Sequence, residues 1–361
     1  MQIADVQENC PVSPDTLRLI RLAVEKEHPD LIVFTGDQIY GMSPCYRIGD
    51  TEQKVRQVID LITAVAEKYA VPFAVTFGNH DRQCGISNAE QAKIYAAKSR
   101  YVGGEYRSDN DRGTYRIPLY SEDGGHVFDI FLIDSNGQSP TGEYMPVSEE
   151  QLAWFANERE KAAEKGKYTN ALVFQHIPVP EYFDVLKRAE FFSKGAVEAF
   201  RTHKNEWYVL PDEIIKDGGF MLESPAIPDR NSGEFAVLKE KGNVLGIIVG
   251  HDHNNSFVAE KNGIKLIYTQ CAGFNVYGPG VKRGVRLIEL DERDLSRFDT
   301  RTLTYDMLTD KKPSAPVKEF VLTHIPTSME QVKRLAVVAA AGGMAMLPPA
   351  VRILKSVRKR R

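Results

Sequence analysis

The chain has 361 residues, of which 42% are hydrophobic and 26% are charged. This composition is typical of a globular protein and excludes a disordered chain, a collagen-like repeat and a small disulfide scaffold. The net charge is −3, but residues 333–361 hold eight Lys and Arg, so residues 1–332 keep 38 Lys and Arg against 49 Asp and Glu, a net charge of −11. An acidic body argues against a nucleic-acid-binding platform, which needs a basic face.

The first 80 residues alternate between predicted strands and helices. Ser13 followed by Pro14 is typical of a helix start, and this helix ends at His28-Pro29. Apolar residues at helical spacing between Val55 and Val65 predict a second helix. Apolar runs at residues 1–4, 31–34 and 73–77 predict three strands, and the βαβαβ order predicts a parallel sheet covered by helices.

Later segments continue this rhythm with one interruption. Residues 181–235 are rich in aromatic residues, Gly and Pro, and we expect an insertion that acts as a lid or specificity element. The apolar stretch 335–351 is broken by Gly and Pro pairs and precedes a basic end, which predicts a helical tail, with interfacial contact to anionic lipid as the alternative. Strands are predicted at 114–119, 127–133, 171–174, 245–249, 265–269 and 285–290, with a helix around 149–163.

The four cysteines form no C-x-x-C pair, and they are Cys10, Cys45, Cys84 and Cys271. We expect free thiols in a reducing compartment. The chain does not open with a charged segment followed by an apolar one, as a signal peptide does. These features predict a cytoplasmic protein, with peripheral membrane association through the basic tail as a further option.

Metal-binding side chains follow five of the predicted strands directly. Because sites in α/β sheets form at the carboxyl ends of strands, we expect these turns to meet at one rim. Four of the eight histidines lie on them. The five turns carry Asp5, Gly36-Asp37-Gln38-Ile39-Tyr40, Gly78-Asn79-His80-Asp81, Gln175-His176 and Gly250-His251-Asp252-His253.

Two Asp, one Asn, three or four His and a Tyr are more ligands than one open catalytic ion needs. They suit two ions about 3.5–4 Å apart that share a bridging carboxylate. Carboxylate, amide and imidazole ligands favour Fe, Mn or Zn. Such a pair generates hydroxide near neutral pH and holds the phosphoryl oxygens, so the predicted reaction is attack of a metal-bound hydroxide on a phosphate ester.

These five motifs together resemble those of the calcineurin-like metallophosphoesterase superfamily. The stretches 174–181 and 250–255 are similar to those of its purple-acid-phosphatase-like branch. The resemblance covers about residues 1–300 and implies a four-layer α-β-β-α sandwich of two mixed sheets flanked by helices. We therefore expect a metallophosphoesterase catalytic domain at 1–304, with the insertion at 181–235, and a basic helical tail at 305–361.

The resemblance also implies a role for each site residue. His80 faces the substrate, where it stabilises the phosphoryl oxygens or protonates the leaving group, and Asp81 orients its imidazole. The implied metal ligands are Asp37 for both ions, Asp5 and His253 for the first ion, and Asn79, His176 and His251 for the second.

The first motif departs from the family pattern. Most members carry Asp-x-His there, and this chain has Asp5-Val6-Gln7. Tyr40 lies three residues after Asp37, where purple acid phosphatases place a tyrosinate ligand. We predict that Tyr40 replaces the missing imidazole and that the first ion is ferric, with Fe, Mn or Zn as the second. The alternative is that Tyr40 only packs beside the site.

The predicted partner is a phosphate-ester substrate, and the motifs do not separate monoesters, diesters, nucleotides and phosphoproteins. One alternative is a phosphate-binding member of the fold that lost catalysis when Gln7 replaced the imidazole. The intact Asn79-His80-Asp81 motif argues against it, since a binding protein needs no leaving-group acid. Another alternative is a lipid or nucleotide phosphodiesterase that binds a membrane surface through the basic tail.

Overall fold

The protein is built on two mixed β-sheets, and its computed structural model describes residues 1–163, 168–326, 331, 332 and 336. The helices are α1 (Pro14–Glu27), α2 (Thr51–Tyr69), α3 (Asn88–Ala96), α4 (Glu149–Ala162), α5 (Asp212–Lys216), α6 (Glu234–Glu240), α7 (Tyr305–Leu308) and α8 (Pro316–His324). The strands are β1 (Gln2–Ile3), β2 (Ile32–Thr35), β3 (Phe73–Thr76), β4 (Glu105–Ser108), β5 (Asp111–Tyr120), β6 (His126–Ile133), β7 (Asn170–Gln175), β8 (Lys187–Ala189), β9 (Val197–Glu198), β10 (Trp207–Val209), β11 (Phe220–Met221), β12 (Val244–Val249), β13 (Asn255–Lys261), β14 (Ile264–Tyr268), β15 (Gly284–Asp291) and β16 (Asp294–Thr304).

The amino-terminal βαβαβ unit forms the parallel part of the first sheet, whose strand order is β16-β15-β1-β2-β3. Strands β1, β2 and β3 run parallel, as predicted, and β15 joins β1 in the antiparallel sense. Helix α1 begins at Ser13, whose side chain accepts a hydrogen bond from the Asp15 N–H, and ends at His28 in the left-handed conformation. The carboxyl ends of β1, β2 and β3 therefore lie side by side.

The second sheet has eight strands in the order β11-β13-β14-β12-β7-β6-β5-β4. Its central strands β6, β7, β12 and β14 are parallel, and the outer pairs are antiparallel. Strands β7 and β12 are neighbours, so the turns that follow them leave the same edge of the sheet.

Three apolar cores separate four layers. The middle core joins the facing sides of the sheets, with Val33 and Ala74 from the first and Leu172 and Ile248 from the second. A second core packs α1 and α2 on the outer side of the first sheet. A third core packs α4, α6 and the insertion on the outer side of the second sheet. The α-β-β-α fold predicted from the family resemblance is confirmed.

The insertion at 181–235 is a packed element with its own three-stranded sheet, β8-β10-β9. Tyr182, Phe183, Tyr208 and Leu210 are buried in the core on the outer side of the second sheet. Four aromatic residues of the insertion, Tyr182, Phe183, Tyr208 and Phe235, therefore hold it on the domain, whereas Phe192 is exposed.

The compact unit extends from Met1 to Thr323, beyond the boundary at 304/305 expected from the sequence. Strands β13 and β16 were not predicted, because neither contains an apolar run of four or more residues. Apart from residue 336, the basic segment 333–361 lies outside the described residues. Within the described ranges, no helix combines the length and apolar character needed to cross a membrane.

Candidate metal centre

The five predicted turns meet at one rim, where the two sheets present the carboxyl ends of β1, β2, β3, β7 and β12. The first sheet contributes oxygen donors and the second contributes imidazole nitrogens. We call one group of residues the His176 half and the other the Asp5 half, with Asp37 common to both. The His176 half is Asp37, Asn79, His176 and His251, and the Asp5 half is Asp5, Asp37 and His253.

In the His176 half, the donor atoms converge on one imidazole nitrogen. The Nε2 atom of His176 lies 3.2 Å from Asp37 Oδ2, from Asn79 Oδ1 and from His251 Nδ1. The Nδ1–H of His176 donates to the Thr35 carbonyl at 3.0 Å, so Nε2 is the ring nitrogen that faces the cluster, where it can hold a proton or bind a cation. Because hydrogen-bond acceptors meet here, either a proton or a metal cation must lie between them.

The Asp5 half is more open. Asp5 Oδ1 lies 3.5 Å from His253 Nε2 and 3.9 Å from His176 Nε2. The His253 Nδ1–H donates to the Tyr277 carbonyl at 2.8 Å, and the Tyr277 ring stacks on the imidazole at a centroid distance of 4.2 Å. Tyr277 therefore holds His253 with its Nε2 lone pair directed at Asp5, as a metal ligand requires.

These residues fit a metal centre on two observations. Asp5 Oδ1 is buried and has no hydrogen-bond partner among the described residues. Asp37, His176 and His251 offer ligand atoms that all lie within 4.8 Å of one another. Ligand atoms about 2.1 Å from one ion lie roughly 3.0–3.4 Å apart, which the 3.2 Å spacings in the His176 half match.

The electrostatics keep most of this cluster in its ligand form. Burial lowers the pKa of His251, and it lowers the pKa of His253 to about 3, so both imidazoles are neutral. Burial also opposes the charge on His176, but the carboxylates of Asp37 and Asp5 outweigh it and raise its pKa to about 10. A bound cation therefore takes the place of the proton that His176 otherwise holds.

The Gln7 amide occupies the space beside the shared carboxylate. Its Nε2 donates a hydrogen bond to Asp37 Oδ2 at 2.7 Å. The Tyr40 ring packs edge-on against His80 at a centroid distance of 5.7 Å, and none of the described residues forms a hydrogen bond with its hydroxyl. Gln7 is thus a site residue by position, and the prediction that Tyr40 is a ligand stays a prediction.

His80 is held on the open side of Asp37. Its backbone N–H donates to Asp37 Oδ1 at 2.7 Å, and its Nδ1 lies 2.6 Å from Gln83 Oε1. Gln83 therefore orients the imidazole, which corrects the expectation that Asp81 does so. Gln83 lies three residues after His80 in the same 3₁₀ turn, and residues at this spacing lie on the same side of the turn. This spacing is the sequence feature that could have predicted the contact between Gln83 and His80.

Asp81 joins two of the site turns instead of contacting the His80 ring. Its buried carboxylate accepts four backbone N–H groups, those of Asp37, Gln38, Ile39 and Gly78, at 2.7–2.9 Å. Burial of the carboxyl group raises the pKa of Asp81 to about 7, and the nearby negative charge of Asp37 acts in the same direction. Asp81 thereby fixes the position of the shared carboxylate relative to Asn79.

The backbone around the centre adopts strained conformations and approaches the ligand side chains closely. Asp5, Asp37 and His251 have φ values of 50°, 53° and 75°, in the left-handed region that costs non-glycine residues about 1–3 kcal/mol. Gly78 allows close approach, because a Cβ there would lie 2.2 Å from Asp37 Oδ1. Such strain persists only where the surrounding fold maintains it, as in a binding site.

Comparison with known proteins identifies the family. The family model for calcineurin-like phosphoesterases matches residues 1–255. The chain therefore belongs to the calcineurin-like phosphoesterase family, and the resemblance deduced from the five motifs is confirmed.

The curated relatives are purple acid phosphatase-like. "Probable inactive purple acid phosphatase 28" of Arabidopsis thaliana is 28% identical over 298 residues, covering 76% of this chain and 66% of the relative. "Probable inactive purple acid phosphatase 14" of the same plant is 26% identical with the same coverage. "Phosphatase DCR2" of Saccharomyces cerevisiae is 25% identical, covering 79% of this chain and 47% of the relative. The chain spans slightly less than two thirds of the length of the two plant relatives.

Among solved structures, a dimetal phosphatase from Danio rerio aligns with 84% of this chain and 98% of its own, at 15% identity and a TM-score of 0.49.

Proposed function

We propose that the chain is a phosphoesterase that hydrolyses phosphate esters with the help of two metal ions. The observation that carries this proposal is the set of three acceptor atoms 3.2 Å from His176 Nε2. Family membership supports the same chemistry. The proposed ligands are those of the His176 half and the Asp5 half, with Tyr40 at the first, ferric ion.

Two ions bound by these residues would supply Lewis acidity and a hydroxide nucleophile near neutral pH. The chain itself supplies the leaving-group acid. With Nδ1–H bonded to Gln83, the His80 ring is fixed in orientation, and its imidazolium form donates the Nε2 proton to the departing ester oxygen. Asp81 holds the turn that carries His80 against the turn that carries Asp37, because its carboxylate accepts hydrogen bonds from the backbone N–H groups of Gly78 and Asp37.

The test uses protein that has been dialysed against Mn²⁺, Zn²⁺ or Fe, then desalted and analysed for metal per chain. We expect about two ions per chain and hydrolysis of p-nitrophenyl phosphate or its bis ester, abolished by chelation and restored by the metal. Loaded protein that hydrolyses neither ester contradicts the proposal.

A phosphate-binding protein without catalysis is the second candidate. It is favoured by the words "Probable inactive" in the names of the plant relatives and by the Gln7 amide hydrogen-bonded to the shared carboxylate. Loaded protein that binds phosphate but hydrolyses neither ester supports this candidate. A third candidate is an enzyme that binds a membrane surface through the basic residues of 333–361. On this proposal, the protein floats with anionic liposomes, and removal of residues 333–361 abolishes the flotation.

A further inference from the structure

A groove with a volume of about 980 Å³ opens beside the candidate metal centre. Asn79 of the His176 half lines it, so a ligand in the groove would lie next to the candidate metal centre. Asn231 from the insertion also lines the groove. The volume is at the upper end for small-molecule pockets, which indicates an extended ligand.

Two arginines line the groove without forming an ion pair with a carboxylate of the described residues. Arg82 Nη2 donates to the Gln138 carbonyl at 2.7 Å, and Arg230 lines the same groove. Among the described residues, no carboxylate lies within 4.0 Å of either guanidinium group, whereas nearby Arg201 pairs with Asp229 at 3.0 Å. Guanidinium groups without a carboxylate partner are suited to bind an anionic group of a ligand.

The remaining lining favours a polypeptide over other phosphate esters. The lining includes the polar side chains of Gln138, Ser139, Ser148 and Asn231, and those of Ser139, Ser148 and Asn231 already hydrogen-bond within the protein. A backbone N–H or C=O group of a ligand can join them as a further partner. No described lining residue is aromatic, so the groove gives no stacking platform for a nucleobase. Its apolar residues, Pro140, Met145, Pro146 and Val147, can pack against the side chains of a bound peptide.

The groove also contains acidic residues. Glu149 and Glu150 line it at the start of α4, and neither pairs with Arg82 or Arg230. They oppose a uniformly anionic ligand such as polyphosphate. A lining with both signs of charge agrees with a peptide, which carries both signs itself.

We propose that the groove binds a phosphorylated peptide segment in which an acidic residue next to the phosphorylated one contacts Arg82 and Arg230. This inference rests on the proposed phosphoesterase function. In the reaction, a water oxygen forms a bond to phosphorus, the bond from phosphorus to the seryl oxygen breaks, and that oxygen takes a proton. The products are phosphate and the unmodified peptide.

The experiment compares two phosphoserine peptides of equal length, one with Ala and one with Asp on both sides of the phosphoserine. We expect the Asp peptide to show a kcat/KM roughly 10-fold higher, as one charge-assisted contact allows. Arg82→Ala and Arg230→Ala should each lower this ratio by roughly 3- to 10-fold, and the Lys variants should restore part of it. The control is Arg297→Ala on β16, whose side chain is 79% exposed, and it should leave the ratio unchanged.

A ratio near one in the unmodified protein, or a ratio that neither arginine variant changes, overturns the proposal. p-Nitrophenyl phosphate separates the two levels of inference, because its hydrolysis tests only the phosphoesterase function. If no substrate is hydrolysed, fluorescence anisotropy with the labelled peptides still decides. Tighter binding of the Asp peptide that is lost in both variants supports the groove, and equal or undetectable binding of the two peptides overturns it.

Discussion

The two halves of the metal centre differ in how completely the fold assembles them. In the His176 half, three atoms from both sheets already lie at ligand spacing from His176 Nε2. In the Asp5 half, the atoms are farther apart, and Gln7 hydrogen-bonds to the carboxylate that the halves share. The comparison predicts that the His176 half would bind an ion more tightly and that ion binding in the Asp5 half would depend on its neighbouring side chains.

The largest effect is expected from His176→Ala. Loss of the central nitrogen should weaken ion binding by more than the roughly 10- to 100-fold seen when only a supporting residue is removed. Metal analysis after desalting should show about one ion fewer per chain. His28→Asn is the control, because His28 ends α1 in a left-handed conformation that Asn tolerates. Unchanged metal content in His176→Ala would contradict the assignment of the tighter half.

His80→Ala separates catalysis from metal binding in both halves. We expect turnover to fall roughly 10²- to 10⁴-fold, because a positioned proton donor is lost, while metal content stays unchanged. Gln83→Ala should cause a smaller loss and alter the pH profile, since it frees the imidazole from its fixed orientation. Gln53→Ala, at an exposed glutamine of α2, is the matched control. Loss of bound metal in His80→Ala would show that His80 is itself a ligand.

The visible absorption spectrum of the iron-loaded protein tests whether Tyr40 is a ligand in the Asp5 half. If Tyr40 binds a ferric ion there, protein loaded with iron in air should show a visible charge-transfer band. Tyr40→Phe should abolish the band, and Gln7→Ala should retain it. A band that persists in Tyr40→Phe, or a colourless protein with a full complement of iron, refutes the tyrosinate ligand and leaves Gln7 as the side chain nearest to the shared carboxylate.

The smallest effect concerns the support beneath the His176 half. Glu234 is buried near Gln175 at the end of β7, and burial raises its pKa to about 8. In the unfolded chain the Glu234 carboxyl releases its proton near pH 4.5, whereas in the folded protein it keeps the proton up to about pH 8. The free energy of unfolding therefore decreases as the pH rises from about 4.5 to about 8. Glu234→Gln should therefore stabilise the protein by about 1–2 kcal/mol at pH 8 and have little effect at pH 4.

Urea unfolding at the two pH values measures this difference, with exposed Glu240→Gln on the same helix as the control. Equal effects of the two substitutions at pH 8 would show that Glu234 is not a buried acid. A change in metal content in Glu234→Gln would show that the packing beneath β7 also sets the geometry of the His176 half.

Much of the centre was predictable because its residues follow strands in the sequence. Apolar runs of four to six residues indicated β2, β3, β7 and β12, and the polar residue after each run was a candidate ligand. The contacts that refine the site were less visible. Tyr277 supports His253 from 24 residues away, and no local pattern distinguishes it from other tyrosines.

The role of Asp81 shows why adjacency in sequence misleads. It follows His80 directly, and the family resemblance suggested a pair. In the turn, neighbouring side chains point in different directions, so the carboxylate reaches the backbone of residues 37–39 while the imidazole meets Gln83. The identity of a partner is decided by backbone direction, which residue type alone does not encode.

By itself, the sequence determined the strands and helices that precede the site turns, the family, and the list of side chains available for metal binding, because these follow from local periodicity and residue chemistry. Only the tertiary structure decided which atoms face one another. The Nε2 of His176 is free for a ligand because Nδ1 bonds the Thr35 carbonyl, 141 residues away. That contact exists only once the two sheets pack, and so does the concentration of charge that makes the cluster a candidate metal centre.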